Sequence, residues 1–314
     1  FLLLIFGMYI HSILFVSGIV GLILLEGFDF LPGLLGNEPF NRVASYTLTT
    51  IPLFVLMAQF ILQSGIVKDL FYIVNRLSRG KKSVLGVLTL AVGGILGAVS
   101  GSGTATAASL GQVAVPELRR HGYSGPLAGA VAAAGGSLSG IIPPSIILIL
   151  YGVATETPVG SIFIGSIIPG IIVTFVFIIV MLFYFFNDKK SNEYEEIDKS
   201  ENIEKLPFHR LVVASIAALL VILVIFVGIY TGMFTPTEAG AVGAFVGFLT
   251  ALALKKVNFE FMKTSVIETL KLTGMVMLIM IGAQIFGRFV SLSLLSRKLV
   301  DLLQPIMDMP VLVL

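Results

Sequence analysis

Gly97-Ala98-Val99-Ser100-Gly101-Ser102-Gly103-Thr104-Ala105-Thr106 lies in the middle of an apolar stretch, about residues 83–117, whose two flanks are both basic. Arg76, Arg79, Lys81 and Lys82 precede the stretch, and Arg119 and Arg120 follow it. Basic clusters stay on the cytoplasmic side of a membrane, so both ends belong on one side. The stretch is too long for one span and too short for two full spans plus a turn. A hairpin that enters the membrane, turns at its Gly/Ser/Thr centre and leaves on the same side satisfies both conditions. A plain helix interface of small residues is the competing reading; flanks and length weigh against it. Free backbone at such a turn is tolerated only where protein surrounds it or it lines a wet cavity. Its carbonyls and hydroxyls suit a hard monovalent cation such as sodium, and amides at a helix N-terminus suit a carboxylate.

Composition places the whole chain in the same solvent. Hydrophobic residues make up 56% of its 314 residues and charged residues 12%, against roughly 45–50% and 25% in soluble domains. Apolar runs of about 20 residues recur along its length, each long enough to cross a bilayer core. The fold class is therefore all-α integral membrane. A net charge of +2 gives no footing for nucleic acid, and Cys 0 removes disulfide and thiol chemistry. The sequence opens at Phe1 inside an apolar run and closes on Val311-Leu312-Val313-Leu314; this reads as a fragment.

The basic clusters thread the chain. Spans of about 2–25 and 44–64 precede an amphipathic surface helix at 66–80 and the hairpin at 83–117. A span of about 125–153 runs outward, interrupted by Gly and Pro, and one of about 160–186 returns. Residues 187–208, with Lys189 and Lys190, form a polar cytoplasmic linker. Spans of about 210–231 and 237–254 follow, then a second surface helix at 258–271 behind Lys255 and Lys256, and a span of about 273–291. Glu26, Asp29, Glu38 and Glu156 fall in outer loops. Arg297 and Lys298 also fall outside, against the positive-inside rule.

Two stretches repeat weakly. Gly7-Met8-Tyr9 matches Gly232-Met233-Phe234, and Met57-Ala58-Gln59-Phe60 matches Gly282-Ala283-Gln284-Ile285. The threading starts the first copy inside and the second outside, the signature of inverted-repeat transporters. A second hairpin is then expected to begin near Pro310.

Two further motifs carry physical meaning. Gly135-Gly136-Ser137-Leu138-Ser139-Gly140-Ile141-Ile142-Pro143-Pro144-Ser145 breaks a span at its middle, because consecutive prolines cannot continue a helix. Carbonyls freed near Gly140 need a partner. A sodium ion shared with the hairpin tip is one; serine hydroxyls and water in a kinked helix are the other. Thr235-Pro236-Thr237-Glu238 reads as a capping box, with Thr235 as N-cap, Pro236 as first helical residue and Glu238 as third. Glu238 is then structural rather than a proton carrier. His11, His121 and His209 have no metal-ligand spacing. No transition-metal site and no organic cofactor follow. His121 and His209 adjoin basic residues and read as solvated; His11 reads as hydrogen-bonded within the first span. Gln59, Gln112 and Gln284 serve either as helix–helix glue or as substrate contacts.

Three motifs in order, Gly97–Ala108, Gly140–Ser145 with Tyr151-Gly152 behind, and Tyr230–Ala239, resemble the large permease subunit of the TRAP (tripartite ATP-independent periplasmic) transporters, over almost the whole chain. The resemblance implies a non-enzymatic, multi-pass subunit of the bacterial inner membrane. It implies import of small organic acids, of C4-dicarboxylate or sialic-acid type, driven by a sodium gradient as the coupling ion. A periplasmic binding protein delivers the substrate, and a small membrane subunit braces the large one. It implies an inverted-repeat elevator with a re-entrant hairpin and broken helix. Residues 1–82 and 209–309 would hold scaffold and connecting spans and the two surface arm helices. Residues 83–186 would carry the transport hairpin, broken helix and following span; 187–208 the linker; and 310–314 the start of a truncated second hairpin. The sodium and substrate site would lie around Ser100, Gly101, Ser102, Gly103, Thr104, Ser137, Gly140, Pro143, Pro144 and Ser145. A binding-protein-independent sodium/divalent-anion symporter of related architecture is the nearest rival. An intramembrane serine protease fails, because no histidine sits mid-membrane to activate Ser100 or Ser102.

Overall fold

The computed structural model describes residues 2–187, 207–298 and 300–301. In chain order its main helices are α1 (Leu2–Ile5), α2 (Ile10–Glu26), α3 (Leu31–Val43), α4 (Thr50–Ser64), α5 (Ile66–Ser78), α6 (Lys82–Ser100), α7 (Gly103–Arg120), α8 (Gly125–Ser137), α9 (Ile146–Ala154), α10 (Val159–Asn187), α11 (Phe208–Tyr230), α12 (Pro236–Ala253) and α13 (Phe259–Leu292). No strand occurs among the described residues. Six of these described helical segments are long and apolar enough to cross a membrane. The expected linker at 187–208, apart from its helical ends, and the second hairpin near Pro310 lie outside the described residues, as does the side chain of His209.

Most spans stand where hydropathy put them, with three differences. The first is broken: Gly7, at φ +70°, separates the four-residue α1 from the 17-residue α2. The expected surface helix at 258–271 and span at 273–291 are one continuous helix of 34 residues, α13, about 51 Å long at 1.5 Å per residue. No proline interrupts it, and an isolated glycine such as Gly274 costs only about 1 kcal/mol in a helix. The change from polar to apolar surface altered what the helix faces, not its hydrogen bonding. The outer loop around Asp29 holds α3, with Pro39 inside it, which periodicity did not announce.

The chain divides into two compact units, residues 1–46 with 271–314 and residues 47–270, so α13 contributes to both. This division mixes the expected scaffold helices with the hairpin in the larger unit. Each unit contains part of both copies of the sequence repeat. In the smaller, α2 packs on α13: a Cβ at Gly18 would fall 2.8 Å from the Phe286 backbone nitrogen, and Leu22, Leu34 and Ile285 are buried together. In the larger, α12 packs on α4, with a Cβ at Gly243 falling 2.4 Å from Met57 Sδ. The same step along the chain separates Gly7 from Gly232, Gly18 from Gly243 and Met57 from Gly282. Each pair therefore joins a helix of one copy to a helix of the other. Small residues at the contact let the backbones approach.

The larger unit is built around the hairpin. α6 and α7 are antiparallel arms. At their base the Tyr123 hydroxyl donates to the Lys82 carbonyl over 2.9 Å, and at their tip Ser100 and Thr106 share a hydrogen bond. The turn takes only Gly101 and Ser102, which corrects the length argument: α6, at 19 residues, is long and apolar enough to cross a membrane by itself, whereas α7 is not. α8 lies across both arms. A Cβ at Gly93 would fall 2.6 Å from Gly135 Cα, and one at Gly136 would fall 2.5 Å from Ala107 Cβ. Leu85, Leu90, Leu110, Leu118 and Tyr123 fill the core between α6, α7 and α8.

The amphipathic α5 closes this core from outside, burying Val67, Phe71 and Val74. Asn75 donates to the Glu117 carboxylate at the hairpin base. His121, expected to be solvated, is 24% exposed and sits 2.9 Å from the Glu117 carbonyl through Nδ1. α5 is tied to α11 by Arg210, whose Nε donates over 2.8 Å to Oδ2 of the fully buried Asp69. The other Asp69 oxygen has no hydrogen-bond partner among the described residues. Thr235 and Glu238 form the capping box at the start of α12: the Glu238 carboxylate accepts from the Thr235 N–H over 2.8 Å, and Thr235 Oγ1 accepts from the Glu238 N–H.

Two stability predictions follow from this packing. Arg210→Ala leaves a buried carboxylate without its cation and is expected to cost about 3–5 kcal/mol, read as a lowered thermal transition in detergent micelles. An unchanged transition would remove the α5–α11 tie from the account. Gly136→Val forces α8 away from Ala107 and is expected to cost about 1–3 kcal/mol or more. Gly129→Ala, where a Cβ meets open space, should leave the same transition unchanged or raised.

Candidate functional site

The hairpin turns through a left-handed residue. α6 ends at Ser100, and Gly101 follows at φ +59°, its N–H donating to the Gly97 carbonyl over 2.8 Å. Ser102 then caps α7: its Oγ accepts from the Ala105 N–H at 3.4 Å and its carbonyl accepts from the Thr106 N–H at 3.0 Å. Ser100, Gly101 and Thr106 are buried, Ser102 and Gly103 partly so, and Thr104 is exposed.

The second element is the interrupted helix. α8 ends at Ser137 and one 3-10 turn, Leu138–Gly140, follows. Residues 141–145 leave helical geometry, with a cis Pro143-Pro144 bond, before α9 begins at Ile146. The Ile141 and Ile142 N–H groups both donate to the Leu138 carbonyl, at 3.0 and 2.8 Å. The Ser145 hydroxyl donates to the Gly140 carbonyl at 3.1 Å, and the Ser139 hydroxyl to the Gly136 carbonyl at 2.8 Å. Ser139 and Ser145 are fully buried. So the serine hydroxyls named as one candidate partner for the freed carbonyls do take them up. A carbonyl oxygen has two lone pairs, and one accepted hydrogen bond leaves Gly140 able to meet a second partner.

Tip and break meet directly. The Ile146 N–H, at the N-terminus of α9, donates to the Gly101 carbonyl over 3.3 Å. A Cβ at Gly101 would fall 3.3 Å from the Pro144 carbonyl oxygen. One at Gly97 would fall 2.8 Å from Ser139 Cα, so only glycine lets the hairpin seat this closely. At Gly103 the place of a missing Cβ is 3.3 Å from both the Gly136 carbonyl oxygen and Ser139 Oγ. A small cradle of oxygens thus stays open because residue 103 has no side chain.

Of the residues expected at the site, Gly101, Gly103, Pro144 and Ser145 are in or beside this contact. Gly140 is linked to it through Ser145, and Ser100 through its bond to Thr106. Ser102 and Thr104 stand at its rim, joined by their hydroxyls at 3.3 Å. Ser137 is turned away: its exposed hydroxyl donates to the Ala134 carbonyl. Pro143 faces the other side, lining an apolar cavity of about 460 Å³ with Ile142, Gly94, Ala98, Ile171 and Phe175. Gly136, Ser139 and Thr106, quoted within the two motifs but not among the expected site residues, also stand at this contact. Helical spacing was the available signal, since Gly136 and Ser139 are three apart and lie on one face.

The donor set is neutral: carbonyls and hydroxyls, with no carboxylate among the contacts above. Among the described residues no three His, Cys, Asp or Glu side chains gather to hold a metal. Such oxygens, with two helix N-termini beside them, match a monovalent hard cation and an anionic group.

Residues 1–314 match the family described as "Tripartite ATP-independent periplasmic transporter, DctM component". Over 271 residues the chain is 29% identical to the 2,3-diketo-L-gulonate TRAP transporter large permease protein YiaN of Escherichia coli K12, covering 86% of this chain and 62% of that protein. It is 29% identical to the C4-dicarboxylate TRAP transporter large permease protein DctM of Pseudomonas aeruginosa, covering 79% and 57%. It is 28% identical to the sialic acid TRAP transporter large permease protein SiaM of Vibrio cholerae, covering 88% and 64%. The chain thus spans about three fifths of the length of these relatives. A match along the whole chain, to permeases rather than enzymes, leads to one conclusion: this multi-pass protein of the bacterial inner membrane belongs to the DctM component family of the tripartite ATP-independent periplasmic transporters.

Proposed function

We propose that the protein is the large permease of a transporter that imports small organic acids with sodium as the coupling ion. The observation that carries this reading is the oxygen cradle at Gly103, formed where the hairpin tip seats against the broken helix. A sodium ion there would draw on the carbonyl of Gly136 and the hydroxyls of Ser139 and Ser102. Discontinuous helices in secondary transporters use their freed carbonyls in this way. The substrate carboxylate would meet the exposed amides at the start of α7, where the helix dipole favours negative charge. The relatives named for C4-dicarboxylate, sialic acid and 2,3-diketo-L-gulonate support an organic acid as substrate.

In this reading a periplasmic binding protein delivers the substrate and a small membrane subunit supports the permease, as the family's tripartite, periplasmic description supports. Hairpin, broken helix and α10 would move together as an elevator, because the tip–break contact makes them one packed body. Ion binding at Gly103 tightens that contact, which couples the sodium gradient to the movement. A symporter working without a binding protein is the reading this one displaces.

Full-length protein, reconstituted with its small subunit and binding protein, is expected to take up labelled organic acid only with an inward sodium gradient. Ser102→Ala should raise the sodium concentration for half-maximal uptake by about fivefold, the worth of one oxygen donor at about 1 kcal/mol. Uptake that ignores sodium would overturn the coupling. Sodium-dependent uptake unchanged by Ser102→Ala would move the ion away from the hairpin tip, and uptake without the binding protein would restore the rival symporter.

A further inference from the structure

A second cavity, of about 510 Å³, opens between the last turns of α5 and the start of α11. Arg76 and Arg79 stand in its wall, and Ile73, Leu211 and Ile216 give it an apolar lining with Ser215 between them. Among the described residues no acidic side chain lines it. Neither arginine has an ion-pair partner among the described residues, and both are exposed. The nearby Asp69 is already taken by Arg210. Arg79 itself holds a left-handed backbone conformation, φ +49°, which is uncommon outside glycine and fixes where its side chain leaves the helix end.

The position in the membrane follows from the fold. The bonds from Asn75 to Glu117 and from Tyr123 to Lys82 bring two basic clusters, Arg76–Lys82 and Arg119–Arg120, to one end of the hairpin. Clusters distant in sequence thus share one face, and the positive-inside rule makes that face cytoplasmic. The groove therefore sits at the level where anionic lipid headgroups lie. Its outer edge is greasy as well: Leu77 is 62% exposed and Ile216 55%.

We propose that the groove between α5 and α11 binds an anionic phospholipid of the cytoplasmic leaflet, with Arg76 and Arg79 on the headgroup phosphate and an acyl chain along Ile73, Leu211 and Ile216. Paired guanidinium groups recognise phosphate oxygens through bidentate, charge-assisted hydrogen bonds. Basic pockets between membrane helices on this side are the sites where such headgroups gather. The apolar wall selects a lipid over a free anion, because inorganic phosphate gains nothing from it. A lipid held here would bridge α5 and α11 at the membrane surface.

Native mass spectrometry of the full-length protein, in detergent with added phosphatidylglycerol or with phosphatidylcholine of the same chains, tests this. The native protein should retain phosphatidylglycerol about tenfold better than phosphatidylcholine. Arg76→Gln with Arg79→Gln should abolish that preference. Ser215→Trp, which fills the groove without changing charge, should lower retention of phosphatidylglycerol as well. Lys255→Gln with Lys256→Gln, away from the groove, should leave the preference intact. Equal retention of phosphatidylglycerol by the native protein and the double arginine variant would overturn the proposal. So would full displacement of the lipid by inorganic phosphate, which would mark a plain anion site, or undiminished binding by Ser215→Trp.

Discussion

Backbone polar groups removed from water must find partners, and inside a bilayer only the protein or a wet cavity can supply them. The hydrogen bond from the Ile146 N–H to the Gly101 carbonyl answers that demand for two elements at once. Neither the left-handed turn at Gly101 nor the interruption at Pro143-Pro144 is tenable alone in a membrane segment. Each leaves carbonyls or amides without helical partners. Seated against each other, and with Ser139 and Ser145 bonded back to Gly136 and Gly140, they form a satisfied irregular core within helical surroundings. The arrangement of α6, α7 and α8 serves this contact. Gly93, Gly97, Gly135 and Gly136 let the three backbones approach closely enough for the tip to reach the break.

Much of this was legible in the sequence, for identifiable reasons. Basic flanks on both sides of residues 83–117 gave the hairpin, because charge placement obeys membrane asymmetry regardless of tertiary detail. Two consecutive prolines gave the break, because no neighbour can restore an N–H that proline lacks. Thr235 through Glu238 gave a cap, since that bond is local. What stayed hidden depends on helices meeting. That Ser139 faces Gly103 while Ser137 faces away follows from the rotation of α8 against α7, which no single-helix pattern encodes. The continuity of α13 was missed for another reason: hydropathy reports what surrounds a helix and is silent about where it stops. The broken first span was missed because Gly7 is one glycine among 33 in the chain, and its positive φ is visible only once it is folded.

The supports of the hairpin are of a different kind from its tip. At the tip the groups are small, neutral and close, an arrangement that can exchange a hydrogen bond for an ion at little cost. At the base they are charged and aromatic: Glu117 with Asn75 and Arg120, Asp69 with Arg210, Tyr123 against Lys82. Burial raises the pKa of the Tyr123 hydroxyl above its usual value, further from ionisation, and the hydroxyl donates to the Lys82 carbonyl.

The central claim, that the tip and the break enclose a water-accessible sodium site, is tested most directly by thiol labelling at the rim. Thr104→Cys, next to Gly103 and exposed, places a reporter thiol at the rim in the full-length protein, with any cysteine outside these 314 cysteine-free residues replaced by serine. The rate at which a hydrophilic maleimide modifies this thiol in membranes would be compared in sodium and in choline. Ready labelling in choline that slows several-fold when sodium is added, on the order of the tightening one ion confers, is the expected result. A thiol that reacts at the same rate in both, or that no hydrophilic reagent reaches, would contradict it.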